Sequence, residues 1–172
     1  MAVLMIPTAR LDLVLQTPDE VLAWVASLPP ADRAEVSADW IARVRATEAG
    51  NPWALSFSVV ERSVGSAVGG CAFKGPPDAA GAVEVAYGID PAHRNLGYAT
   101  EATGALVNFA FASGRVQVVH AHTKPGNGAS ARVLAKCGFR QVGEVIDPED
   151  GLVCRWEQKH SEPGAAPDPG LL

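Results

Sequence analysis

Ala82-Val-Glu-Val-Ala-Tyr-Gly-Ile-Asp-Pro-Ala-His-Arg-Asn-Leu-Gly-Tyr-Ala-Thr-Glu-Ala102 places a strand, a tight polar loop and a helix start in one run. Val83, Val85, Tyr87 and Ile89 alternate with Glu84, Ala86 and Gly88, which is the period of a strand. Pro91 stops it. The loop Arg94-Asn95-Leu96-Gly97-Tyr98-Ala99 then turns the chain. From Thr100 on, Ala102, Ala105, Leu106, Phe109 and Ala110 recur at helical spacing. A small-residue turn at a helix start leaves backbone N–H groups free at the positive end of the helix dipole, which suits a pyrophosphate. Taken alone, the same six residues also describe an ordinary strand-to-helix turn with a left-handed Gly97.

Further along the chain, Asn127-x-x-Ser130 opens a short helix that ends in Lys136-x-Gly138-Phe139. With Arg94-x-x-Gly97-x-Ala99, this makes two blocks in order and at the right distance. Together they resemble the GNAT superfamily of acyl-CoA-dependent N-acetyltransferases, in the branch of the ribosomal-protein alanine acetyltransferases RimJ and RimL. The resemblance covers residues 8 to 159.

Composition bounds the rest. The chain has 172 residues, 48% of them hydrophobic, enough for one domain with its own core. We read residues 1–160 as that domain. Residues 161–172, rich in Pro, Gly and Ala, read as a disordered tail. The formal net charge of −5 argues against a nucleic-acid binder. No segment approaches the roughly 20 apolar residues of a membrane span. Three cysteines, Cys71, Cys137 and Cys154, lack a paired spacing. They read as reduced thiols of a cytoplasmic protein.

Along the chain we expect a strand over 10–15, a helix capped by Thr17 with Glu20, and a second helix from Pro30 to about Ala49. Strands follow over 53–59, 66–73, 82–89 and 116–123, the last buried on both faces. A helix over 127–137 and a closing hairpin, 140–146 with 152–159, complete an α+β or mixed α/β domain. The resemblance adds a mixed sheet splayed between the fourth and fifth of these strands, where the cofactor inserts.

The resemblance implies that acetyl-CoA is the co-substrate. Its pantetheine would lie along Tyr87, Gly88 and Ile89, where a backbone N–H stabilises the oxyanion. Its pyrophosphate would lie on Arg94 to Thr100, with Asn127 and Ser130 completing the site. Ser130 would donate a proton to the leaving thiolate; the alternative is a serine bonded back to its own helix. Glu84 is out of place among apolar neighbours, because burying a carboxylate is costly. It reads either as an exposed or ion-paired residue, or as a general base acting through water with its pKa raised by burial. His122 is an alternative base. His120-x-His122 has no evident third ligand, so no metal is expected.

The acceptor is expected to be a primary amine, on a peptide or a small molecule. The first two helices and the acidic loop Asp147-Pro-Glu-Asp150 would line its pocket. A homodimer stays open. Two other classes are also in view: a non-catalytic acyl-CoA-binding module, which needs neither Glu84 nor Ser130, and a dinucleotide binder. The absence of Gly-x-Gly-x-x-Gly speaks against the last.

Overall fold

The computed structural model describes residues 2–161. The chain runs β1 (Met5–Pro7), β2 (Leu11–Leu15), α1 (Pro18–Ser27), α2 (Pro30–Ala34), α3 (Ala38–Ala46), β3 (Phe57–Glu61), β4 (Ser66–Phe73) and β5 (Ala82–Ile89). It continues through α4 (Tyr98–Ala112), β6 (Val118–Thr123), α5 (Gly128–Lys136), β7 (Arg140–Asp147) and β8 (Gly151–Lys159). The tail expected at 161–172 lies, beyond Ser161, outside the described residues. No helix among the described residues is long and apolar enough to cross a membrane.

One eight-stranded mixed sheet holds every strand, in the order β1-β2-β3-β4-β5-β6-β8-β7. Its neighbours are antiparallel except β5 and β6, which run parallel. These two strands pair only through Ala82, Val83 and Glu84 against Val118, Val119 and His120. Beyond that point β5 continues to Ile89 and β6 to Thr123 without pairing to each other, so the sheet opens between them as expected.

One face carries the core. Leu11, Leu13, Phe57, Val59, Phe73, Val83 and Val85 project there and are buried, in the alternation that a half-covered strand requires. Ala102, Leu106, Val107 and Ala110 of α4 are buried against them. Trp53 closes this layer, with its ring 4.7 Å from that of Phe73.

Several boundaries differ from the sequence reading, each for a local reason. The strand expected from Trp53 starts at Phe57. Before it, Asn51 Oδ1 accepts the Trp53 N–H at 3.0 Å, so Trp53 and Leu55 are buried by packing from a turn. The single helix expected over 30–49 is two, because Ser37 caps α3 by accepting the Trp40 N–H at 3.3 Å. β6 is buried on one face only: Val119, Ala121 and Thr123 are covered, whereas Val118, His120 and His122 are half-covered. β1 was too short to read as a strand. The expected capping box is present, with Thr17 and Glu20 exchanging bonds of 2.7 and 3.2 Å.

Leu106 is 1% exposed between α4 and the sheet. Leu106→Ala is therefore expected to destabilise the fold by about 2–5 kcal/mol. Denaturant unfolding should show this as a lower midpoint with an unchanged slope.

Candidate functional site

The loop after β5 is built to leave donors free. Gly97 is the residue before α4 and has φ 82°, the left-handed region that glycine tolerates best. It provides no side-chain cap, so the first N–H groups of α4 stay unsatisfied within the protein. They face a cavity of about 720 Å³ lined by Tyr87, Gly88, Ile89, Arg94, Asn95, Gly97, Tyr98, Ala99, Thr100, Asn127 and Ser130. Of the cofactor residues read from sequence, only Leu96 is missing from this lining. Its side chain is half exposed, and its carbonyl accepts Arg10 Nη1 at 2.8 Å.

Sequence reasoning missed what holds this loop. Arg10 Nε pairs with Glu101 Oε2 at 2.8 Å, while Glu101 Oε1 accepts the Thr8 hydroxyl at 2.6 Å and the Arg10 N–H at 2.7 Å. The Arg10 guanidinium also lies over the Tyr98 ring, 4.7 Å from its centroid. Burial disfavours the Glu101 charge, but these donors outweigh it and lower its pKa. The partners are 91 residues apart in sequence, and no local pattern announces them. Arg132 and Lys136 of α5 also line the cavity. Their i, i+4 spacing puts both on one helix face, which gave a usable signal.

Asn127 caps α5 by accepting the Ser130 N–H at 3.2 Å. The Tyr87 hydroxyl donates to the Ser130 carbonyl at 3.4 Å. Burial raises the Tyr87 pKa, so the group is a neutral phenol at neutral pH. Tyr87 therefore brings a hydroxyl to the Ser130 backbone within this cavity, where the sequence reading had only Ser130 as a proton donor.

A second cavity, of about 540 Å³, lies over the opposite face of the sheet. Small residues floor it: Ser58 stands beside Gly70 and Gly70 beside Gly88, with Ala72 beside Ala86. Trp24 of α1 and Gln16 stand at its side. α2, α3 and the acidic loop 147–150 are absent from its lining. Tyr87, Gly88, Ile89 and Arg94 border both cavities.

Glu84 follows Ala86 along this second face. It meets Lys74 Nζ at 3.0 Å, His122 Nδ1 at 2.8 Å and His120 Nε2 at 3.7 Å. Burial favours its neutral form, but the two imidazoles and the ammonium outweigh that and hold its pKa down at about 2. The sequence expectation of a raised pKa is overturned. Burial alone gave the wrong sign because the sequence does not show three cationic or donor partners converging. Lys74 in turn feels Asp147 and Asp150 of the acidic loop. Asp147 Oδ1 accepts the N–H groups of Glu149 and Asp150 at 2.8 and 2.9 Å, which lower its pKa, Asp150 more than Glu149.

The chemistry thus divides across the sheet. A cavity with free N–H groups at the start of α4 holds Ser130 and Tyr87 on one side. A groove floored by Gly70, Ala72, Ala86 and Gly88 lies on the other, and Glu84 is the next residue of β5 on that face. Because the Glu84 pKa falls from 4.5 to about 2 on folding, its contribution to stability is complete above the higher value and is lost as pH falls through the lower one. Wild type should therefore lose more stability than Glu84→Gln between about pH 5 and about pH 2, as measured by urea unfolding across that range.

Residues 7–140 match the family model described as an acetyltransferase (GNAT) domain. An uncharacterized N-acetyltransferase of Bacillus subtilis, YjdG, is 33% identical over 84 residues, 49% of this chain and 50% of that protein. The chain spans about half the length of the curated relatives it matches. Among solved structures, RimL, a ribosomal L7/L12 alpha-N-protein acetyltransferase in complex with coenzyme A, superposes with a TM-score of 0.70 at 18% identity, covering 91% of this chain and 98% of that one. The enzyme AAC(6')-Ib, in complex with ribostamycin and coenzyme A, superposes with a TM-score of 0.65 at 18% identity over 87% and 93% of the two chains. The match over 7–140 takes in the loop, both cavities' shared strand and the Asn127 helix, and with it the chain belongs to the GNAT acetyltransferase family.

Proposed function

We propose that this chain is an N-acetyltransferase that moves an acetyl group from acetyl-CoA to a primary amine by direct attack. The observation that carries this is the meeting of two cavities across the unpaired stretch of β5, one lined by free helix N–H groups and cationic side chains and one floored by small residues, with Glu84 two residues before Ala86 on the same strand face. Acetyl-CoA fits the first. The free N–H groups of α4 suit its pyrophosphate. His93, Arg94, Arg132 and Lys136 bring further donors, and the unpaired edge of β5 suits its amide groups as an added strand would. RimL and AAC(6')-Ib, which share the fold, were each solved with coenzyme A.

The amine enters over Ser58, Gly70, Ala72 and Ala86. Glu84 and His122 hold negative charge and a proton-accepting nitrogen at the end of this path. Ser130 and the Tyr87 hydroxyl supply protons on the sulfur side. Tyr87 is the stronger acid, because a phenol titrates near 10 whereas an aliphatic hydroxyl is closer to water, at about 15.7. The acceptor is a peptide N-terminus or a small-molecule amine. Three unpaired cysteines support a cytoplasmic location.

The test is consumption of acetyl-CoA with a panel of amines, alongside calorimetry with CoA. Turnover with at least one amine is expected; CoA binding without turnover across the panel would leave a binding module. Gly97→Glu should abolish CoA binding, since it strains the turn and repels the pyrophosphate. Arg10→Ala should weaken it about tenfold by releasing the loop, a cost of about 1.4 kcal/mol. An unchanged affinity in both variants would remove the loop from the site.

The acidic loop gives a separate prediction. Asp147, Glu149 and Asp150 should steer a cationic amine toward the groove, an attraction that salt screens. Neutralising all three should raise KM for the acceptor and flatten its salt dependence, as read from initial rates at low and high ionic strength.

A further inference from the structure

Charge is scarce along the second cavity. Its lining holds one carboxylate, Asp90, and one cation, Arg94. Asp90 lies two residues past Gly88, next to Ile89, and both Gly88 and Ile89 border the two cavities. Among the described residues its carboxylate enters no ion pair and caps no helix. Glu84 is already matched by Lys74 and two histidines, and it is absent from the lining. A ligand with one ammonium group finds its counter-charge in Asp90. A ligand with several finds none for the rest, and taking unpaired charges out of water is costly.

The floor has little hydrogen bonding to offer. β3, β4 and β5 pair with one another beneath it, so their backbone groups are used in the ladders. Gly70, Ala72, Ala86 and Gly88 add no side-chain donor or acceptor. Beside the charged pair, Gln16, Ser56 and Ser58 bring the polar side chains, because the Tyr87 hydroxyl is turned to Ser130. A peptide laid on this face would lose water from its backbone without gaining a strand partner.

One wall is aromatic. Trp24 is the only Phe, Tyr or Trp exposed among the described residues, at 53%. Val21 and Val25 of the same helix are buried, and Trp24 is left at the side of the cavity. An indole half in water has apolar area still to cover. A Cβ placed on Gly88 would meet no atom within 4 Å, so the floor stays open where the cavities meet. The volume of about 540 Å³ is that of a small-molecule site.

We propose, on the acetyl-transfer reading above, that the acceptor is a small primary amine with one ammonium group and an apolar, ring-sized body. Asp90 draws the ammonium to the place where the cavities meet. Trp24 flanks the body, and Ala72 and Ala86 lie beneath it.

The test assays the full chain with acetyl-CoA and four amines: phenethylamine, methylamine, spermidine and a short peptide with a free N-terminal alanine. Phenethylamine is expected to exceed each of the others in kcat/KM by about tenfold or more. Trp24→Ala should raise KM for phenethylamine about fivefold to tenfold, the worth of an aromatic contact, with a smaller effect on kcat. Trp24→Phe should recover most of that loss, and CoA affinity by calorimetry should hold in both variants. Asp90→Asn should raise the same KM about twofold to fivefold. A higher kcat/KM with spermidine or the peptide overturns the proposal and leaves acetyl transfer standing. So does a phenethylamine KM unchanged in either Trp24→Ala or Asp90→Asn. A chain that binds CoA and turns over none of the four amines overturns the acceptor assignment. One that binds no CoA refutes the acetyl-transfer reading itself, and the acceptor assignment goes with it.

Discussion

Everything in this molecule depends on the shortness of one ladder. β5 and β6 are the only parallel neighbours in the sheet, and they share three residue pairs. Parallel strands need a long crossover, here supplied by the Gly97 turn and α4. The crossover starts from the far end of β5, after the strands have parted. The parting leaves backbone groups of Val85 to Ile89 without a strand partner on that side, and such groups must find water or a ligand. The same parting gives access to Tyr87, Gly88 and Ile89 from both faces. Both cavities and the Glu84 cluster lie around it.

Electrostatics follows from that geometry. Glu84 sits at the root of the fork, where solvent is partly excluded. Left alone there it would take up a proton. Lys74 and the two histidines keep it charged, the histidines from one face of β6 and Lys74 from the residue after β4. Removing one partner of such a group costs more than the pair contributes net, since an uncompensated charge is left behind. The arrangement is therefore better understood as a fixed anion than as a titrating base.

The alternation of β5, the Gly97 turn and the Asn127 helix were legible because each is a local pattern with a local cause. The residues read for the cofactor, apart from Leu96, line the first cavity for the same reason, whereas Arg132 and Lys136 of its lining were not read. Three other things were not legible. Arg10 and Glu101 are joined by the fold alone. The start of β3 was misread because a tryptophan and a leucine buried from a turn look like strand residues in alternation. The sign of the Glu84 shift was misread because burial can be inferred from neighbours in sequence, whereas compensating partners cannot. His120-x-His122 read as a weak metal motif, and in the fold the two rings bracket a carboxylate.

The brevity of the β5–β6 ladder also bears on how the molecule moves. Through the sheet, β1 to β5 and β6 to β8 are joined by three pairs, with α4 packed on the first block and against α5. Two such blocks open against each other more readily than either unravels, and amide exchange should report them as separate cooperative units. A ligand that bonds the free edge of β5 while touching α5 spans both blocks. It would act as a further rung, raising the free energy of that opening in proportion to its own occupancy. Binding and mechanical closure of the sheet are then one equilibrium, set by the point at which two strands stop pairing.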